Sequence, residues 1–205
     1  MPDDSFLDAV IQEGRETRSV EFKRSMNWEN EPTKAKVVKA CLALANLRDG
    51  GVIVFGLTRD PESRRYVVTG MPEDDFRSFD QDGVSSVVNS YASPSIALDV
   101  VHHRVDDHQV VAIAVQSFDN VPIICGKALV RDGRTIISKG RLLCRSKRMP
   151  ESTEVQEPDD LREILDLATQ KALKRYATLR SLEQEAEPNA HAQQFRDQLG
   201  EDWAP

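Results

Sequence analysis

The sequence lacks several features that would place it in a familiar class of proteins. Its cysteines number three, Cys41, Cys125 and Cys144, and each stands alone in an apolar stretch, which argues against a zinc cage or a disulfide framework and favours buried thiols. No run of about twenty apolar residues is present, and the N-terminal MPDDSFLDAV opens with acids where a secretory signal would be basic and apolar. We therefore expect a cytoplasmic protein without a membrane contact. A GxxxxGK[ST] loop is also missing, so we do not expect ATP binding.

What is present is an ordinary globular composition with an unevenly distributed charge. Hydrophobic residues make up 40% of the 205 positions, which is enough for one well-packed domain. The net charge is −7, yet residues 1–150 carry 21 acids and 21 bases, whereas residues 151–205 carry 13 acids and 6 bases. We expect a domain over residues 1–182 that includes a C-terminal helix, followed by an acidic, partly disordered tail over residues 183–205.

A basic segment lies within the neutral part of the chain. Between Lys127 and Arg148 there are eight bases and a single acid, Asp132. Such a run is typical of a surface that binds phosphate groups, and it is equally typical of a solvated hairpin. The bases predicted to bind nucleic acid are Lys23, Arg24, Lys127, Arg131, Arg141, Arg145, Lys147 and Arg148.

The hydrophobic pattern predicts an α+β fold with a mixed, largely antiparallel sheet and helices packed on it. Apolar positions at spacings of three and four predict helices over Asp4–Gln12, Lys34–Leu47 and Glu157–Leu179. A buried strand is expected over Val52–Leu57, and a hairpin of two longer strands over Ile96–Asp106 and Gln109–Phe118.

The first predicted strand, SVEFKR, places a carboxylate between two apolar side chains. Because side chains alternate between the faces of a strand, Val20 and Phe22 can face a core while Glu21 and Lys23 lie on the other side. This pattern fits an ordinary half-solvated strand, and it also fits an acid placed for chemistry.

The order of these segments resembles the Schlafen-type AlbA domain family, which in bacteria is labelled as DNA-binding. The shared pattern is a glycine and a glutamate before E-F-K, a helix that ends in AxxN before two glycines, a glycine turn with an acid, a VxG, and a late arginine with serine or threonine behind it. The matching positions are Gly14, Glu16, Glu21, Phe22, Lys23, Ala43, Asn46, Gly50, Gly51, Gly56, Asp60, Val68, Gly70, Arg145, Ser152 and Thr153. The resemblance covers roughly residues 5–168.

The resemblance implies nucleic-acid binding in a regulatory or defence role, and a metal-dependent endoribonuclease as the alternative. In relatives that cut RNA it implies three acids, which here are Glu16, Glu21 and Asp60. Clustered carboxylates can hold Mg²⁺ or Mn²⁺, which polarises a phosphoryl oxygen and activates water. From the residues alone, Glu21 can equally form a structural ion pair with Lys23 or Arg145, and Asp60 can be a turn residue.

The expected partners are RNA or DNA, a second copy of the chain, and a protein. The resemblance implies the homodimer. Phe195, Leu199 and Trp203 lie at i, i+4 and i+8, so the tail could dock as a helix on its own domain or on a protein partner. A non-enzymatic interaction module is therefore the third predicted function. Asn46 is expected to bond backbone groups at the end of its helix rather than a ligand.

Overall fold

The computed structural model describes residues 4–147 and 151–185, with side chains described as far as residue 181. The helices in this part of the chain are α1 (Asp4–Glu13), α2 (Glu31–Leu44), α3 (Glu73–Ser78), α4 (Gln81–Tyr91) and α5 (Pro158–Glu185). The strands are β1 (Val20–Lys23), β2 (Gly51–Phe55), β3 (Leu57–Arg59), β4 (Tyr66–Val68), β5 (Ala92–Ser93), β6 (Leu98–Val105), β7 (His108–Val115), β8 (Ile124–Cys125), β9 (Leu129–Arg131), β10 (Arg134–Ile137), β11 (Leu143–Arg145) and β12 (Ser152–Glu154). The predicted α+β class is confirmed.

A four-stranded sheet of order β1-β2-β7-β6 forms the centre of the domain. Strands β1 and β2 are parallel, because α2 carries the chain back between them, whereas β2–β7 and β6–β7 are antiparallel. The predicted hairpin is present as β6 and β7. Strand β1 lies at one edge of this sheet, and four two-stranded pairs accompany it among the described residues.

Apolar side chains cover both faces of the central sheet. On one face, Leu7 and Ile11 of α1 pack against Val20, Phe22 and neighbouring strand residues. On the other face, α2 and α4 cover the sheet side chains that include Ile53 and Phe55. Because β2 is buried on both faces, its sequence is apolar throughout, as the prediction of a buried strand required.

Several element boundaries differ from the predictions: α2 ends at Leu44 and α5 at Glu185, and two other differences lie at glycine- or proline-containing sites. Helix α2 begins at Glu31, with Pro32 in its first turn, and therefore starts three residues earlier than the apolar periodicity indicates. The predicted strand Val52–Leu57 is divided by Gly56, whose φ of 99° is accessible mainly to glycine, so that Leu57 begins β3. The chain leaves the central sheet at this point and forms the β3–β4 hairpin.

The chain divides into two compact units, one ending at Ala168 and one beginning at Thr169. The described part of the second unit is the continuation of α5. The three cysteines are free and buried, as predicted, and burial raises the pKa of Cys144 to about 11. Across the described ranges, no helix has the length and apolarity needed to cross a membrane. The predicted docking segment that contains Phe195, Leu199 and Trp203 lies outside the described residues.

Candidate nucleic-acid interface

The carboxylate of the first strand, Glu21, lies between two cations. Arg145 Nη1 donates to Glu21 Oε2 at 2.5 Å, and Lys23 Nζ donates to Glu21 Oε1. The Glu21 side chain is 14% exposed and that of Arg145 only 1%. Both carboxylate oxygens of Glu21 therefore accept hydrogen bonds from cations of the protein. These are the structural ion pairs with Lys23 and Arg145 that the sequence analysis gave as an alternative.

Arg145 also satisfies backbone groups at the beginning of the edge strand. Its Nη2 donates to the Thr17 carbonyl at 3.0 Å, and its Nε donates to the Arg18 carbonyl at 3.1 Å. In return, Arg18 Nε donates to the Arg145 carbonyl at 2.9 Å. Carbonyls at a sheet edge need partners when they are covered, and a planar guanidinium provides several donors at once. A phosphate group could reach this buried guanidinium only by displacing these contacts, so we assign Arg145 to the structure of the domain rather than to its interface.

Glu16 lies before β1 and accepts hydrogen bonds from residues of β1 and β4. Its Oε1 accepts from the backbone N–H of Phe22 at 3.0 Å, and its Oε2 accepts from the Tyr66 hydroxyl at 3.0 Å. Burial and then the bond to Glu16 raise the pKa of Tyr66. The carboxylate thus joins β1 to β4, and both of its oxygens have protein donors.

Asp60 closes the turn between β3 and β4. Its carboxylate accepts from the Ser63 hydroxyl, from the Ser63 N–H at 3.0 Å and from the Glu62 N–H at 3.4 Å. The bonds from Ser63 lower the pKa of Asp60. This is the turn role that its position before Pro61 allows.

The three predicted metal ligands do not fit a metal site. Each of the carboxylates of Glu16, Glu21 and Asp60 has its own protein donors, and those of Glu21 include two cations. Among the described residues, no group of three or more His, Cys, Asp or Glu side chains is arranged to hold a metal ion. A Mg²⁺ or Mn²⁺ ion needs several free oxygen ligands on one side of the cation. In the described part of the chain, Glu16, Glu21 and Asp60 thus do not form such a group, and a catalytic role for them stays a prediction.

Asn46 is a structural residue, as expected. It is 3% exposed, and its amide nitrogen donates to the carbonyls of Leu42, Ile123 and Leu143 at 3.1, 2.8 and 2.9 Å. Its Oδ1 accepts from the Ile123 N–H at 2.8 Å. The asparagine of the AxxN pattern thus fastens the end of α2 to the segment before β8 and to β11.

Three further cations have carboxylate partners in α5 or β12. Glu163 accepts from Arg18 at 3.0 and 3.1 Å and lies 3.1 Å from Lys147 Nζ. These contacts, with the Arg18 bond first, lower the pKa of Glu163. Arg141 lies 3.5 Å from Glu154. Lys147 and Arg141 are exposed, but each already has a carboxylate partner.

Three of the remaining predicted bases are exposed and have little or no neutralisation by acids among the described residues. Arg24 is exposed just after β1, and Lys127 is exposed with its Nζ 5.2 Å from the centroid of the Tyr91 ring. Arg131 is exposed at the end of β9 and pairs with its neighbour Asp132. Arg148 lies outside the described residues.

Two exposed bases between Lys127 and Arg148 were not among the residues predicted to bind nucleic acid. Arg134 and Lys139 are exposed, and neither forms an ion pair with another described residue. Their position in a basic segment with a single acid, Asp132, could have indicated them. The arrangement therefore separates paired cations, which hold β1, β11 and α5 together, from exposed cations around β9 and β10, of which Arg131 has the acidic partner Asp132.

Residues 16–143 match the family described as Schlafen, AlbA_2. The chain belongs to the Schlafen AlbA_2 family. The match covers more than half of the chain, from Glu16 before β1 to Leu143 in β11. In this Schlafen AlbA_2 protein, two residues of the family pattern have structural contacts: Glu16 bonds to β1, and Asn46 bonds at the end of α2.

Two solved structures resemble this chain at low sequence identity. The DIP2311 protein from Corynebacterium diphtheriae is 19% identical with a TM-score of 0.49, and the match covers 77% of this chain and 27% of that one. The N-terminal domain of a protein from Nitrosomonas europaea, described as related to the ATP-dependent DNA helicase RecG, is 20% identical with a TM-score of 0.43, over 68% of this chain and 90% of that one. The chain thus spans about a quarter of the length of the DIP2311 protein. No significant match was found among curated proteins.

Proposed function

We propose that this protein binds nucleic acid through the exposed bases between Lys127 and Lys147. The observation that carries the proposal is the charge of this segment. Among its described residues, seven bases accompany one acid, Asp132, and of the seven only Arg145 is buried. A polyanion is the partner that such a surface attracts, because bound phosphates release their condensed counterions.

The overall acidity of the protein does not oppose this function, because the charge is separated along the chain. Residues 1–150 are neutral as a whole, and the excess of acid lies beyond them. At physiological ionic strength, charges separated by more than about 8 Å are largely screened from each other. A local cluster of free cations therefore determines the local affinity for phosphate more than the net charge does.

The alternative of a metal-dependent ribonuclease receives less support. It requires the carboxylates of Glu16, Glu21 and Asp60 to share a cation, and each instead accepts hydrogen bonds within the protein. Membership of the Schlafen AlbA_2 family is compatible with either function, so our preference for binding rests on the hydrogen bonds of these carboxylates.

The proposal is tested by fluorescence anisotropy with labelled duplex DNA, single-stranded DNA and RNA at several salt concentrations. The wild type should bind at least one of these polymers, and its affinity should fall as salt rises. A variant with Lys139→Gln and Arg141→Gln should bind more weakly. The matched control is Lys174→Gln with Arg175→Gln, which removes the same charge from exposed positions on α5. If none of the polymers binds, the protein is not a nucleic-acid-binding module, and the interaction-module function takes its place.

A further inference from the structure

The β9–β10 hairpin has a tip that carries two arginines side by side. Arg131 and Arg134 are direct cross-strand partners, and only Asp132 and Gly133 separate them along the chain. These two turn residues have φ angles of 49° and 71°, as a tight two-residue hairpin turn requires. The register therefore holds both guanidinium groups on the same face of a narrow ribbon.

This pair of like charges is incompletely neutralised. Arg131 Nε lies 3.2 Å from Asp132 Oδ2, whereas no described acid lies within ion-pair distance of Arg134. Like charges opposite each other on a hairpin are destabilising, and the effect is relieved when an anion lies between them. Two adjacent guanidinium groups present several N–H donors to a phosphate. The two arginines at the tip can therefore donate hydrogen bonds to the phosphate of a phosphodiester.

The ribbon also exposes apolar side chains that the domain core does not use. Residues 130–136 are all exposed, and they follow directly on the buried Leu129 and precede the buried Ile137. Val130 is 55% exposed and Ile136 is 44% exposed. A hairpin anchored at its base by two buried residues and exposed beyond them can enter a groove.

We propose that the β9–β10 hairpin is a β-ribbon that enters the major groove of duplex DNA. The proposal rests on the proposed function and names the polymer and the element that contacts it. The major groove of B-form DNA is about 12 Å wide and admits a two-stranded ribbon, whereas the major groove of A-form RNA is deep and narrow. Arg131 and Arg134, on one face of the ribbon, bind phosphates at the groove edge, and Val130, on the opposite face, is available to the thymine methyl groups.

The experiment compares the wild type with a variant that carries Arg131→Gln and Arg134→Gln. The probes are a labelled DNA duplex of about 20 base pairs and an RNA duplex of the same sequence, each titrated at several salt concentrations. The wild type should bind the DNA duplex at least about tenfold more tightly than the RNA duplex. In the hairpin variant, the slope of log K against log salt should become less negative by about 1.8, because each phosphate contact contributes about −0.9 to the slope.

Three further measurements keep the inference testable. Lys174→Gln with Arg175→Gln again serves as the control and should leave the slope near that of the wild type. The wild type should also protect guanine N7, which lies in the major groove, from dimethyl sulfate, and the hairpin variant should not. Urea unfolding of the hairpin variant should match the wild type within about 0.5 kcal/mol, because both substituted side chains are exposed.

The possible outcomes separate the inference from the proposed function. Equal binding of the two duplexes, or unchanged affinity in the hairpin variant, overturns the inference and leaves nucleic-acid binding intact. Failure of the wild type to bind any nucleic acid overturns the proposed function. Binding of DNA without protection of guanine N7 shows that the hairpin does not enter the major groove.

Discussion

Replacement of Arg145 by alanine should destabilise the fold rather than weaken a ligand contact. The guanidinium is 1% exposed, and its removal leaves Glu21 with Lys23 alone and leaves the carbonyls of Thr17 and Arg18 without their donor. Breaking a buried ion pair by removing one partner costs about 3–5 kcal/mol. Because Lys23 still neutralises Glu21, we expect the lower end, about 3 kcal/mol.

This loss is large compared with the about 5–15 kcal/mol that stabilises a typical domain. The assay is urea unfolding followed by circular dichroism, with the same m-value expected for both proteins. Arg145→Lys should recover only part of the loss, since an ammonium group does not reproduce the planar set of donors. Arg134→Ala is the matched control, and its exposed side chain predicts a change within about 0.5 kcal/mol. An Arg145→Ala protein as stable as the wild type but impaired in DNA binding would refute this reasoning.

Three other substitutions or conditions test the structural assignments. Asn46→Ala should lower the free energy of unfolding in urea by about 2–4 kcal/mol, because buried carbonyls and the Ile123 N–H lose their hydrogen-bond partner. Asn46→Asp should not restore this stability, because a carboxylate has no N–H donors for the carbonyls. The folded pKa of Glu163 is lowered, so its contribution is present above the ordinary glutamate value of about 4.3 and is lost as the pH falls through the folded value. Glu163→Gln should therefore destabilise the protein at pH 7 by at most about 1 kcal/mol, and the difference from the wild type should disappear in thermal melts at acidic pH. Millimolar Mn²⁺ should leave the melting temperature unchanged. If a Mn²⁺ site existed, a free Mn²⁺ concentration of about a hundred times its Kd would raise the free energy of unfolding by about 2.7 kcal/mol and so raise the melting temperature.

Local patterns in the sequence predict much of the fold. The β6–β7 hairpin follows from two apolar stretches around Asp106 and Asp107, and the buried strand β2 follows from its continuous apolar run. The buried thiols also follow from their apolar neighbours. Each of these features depends on residues that are close in the chain.

The candidate site is less predictable because its contacts join distant parts of the chain. Arg145 meets the carbonyl of Thr17 across 128 residues, and Tyr66 meets Glu16 across 50 residues. The sequence offered a structural ion pair of Arg145 with Glu21 only as an alternative to phosphate binding, because burial of the arginine depends on contacts with distant residues. Composition therefore identifies the basic segment as a whole, whereas the tertiary contacts decide which of its members are free.

The salt dependence of wild-type binding to a DNA duplex tests the central claim most directly. Apparent Kd values measured by anisotropy between about 50 and 200 mM salt give a slope that counts the phosphates contacted. If the exposed cations Lys127, Arg131, Arg134 and Lys139 contact phosphates, the slope of log K against log salt should be about −2 to −4. Absence of binding throughout this range, or a slope near zero, would contradict the account.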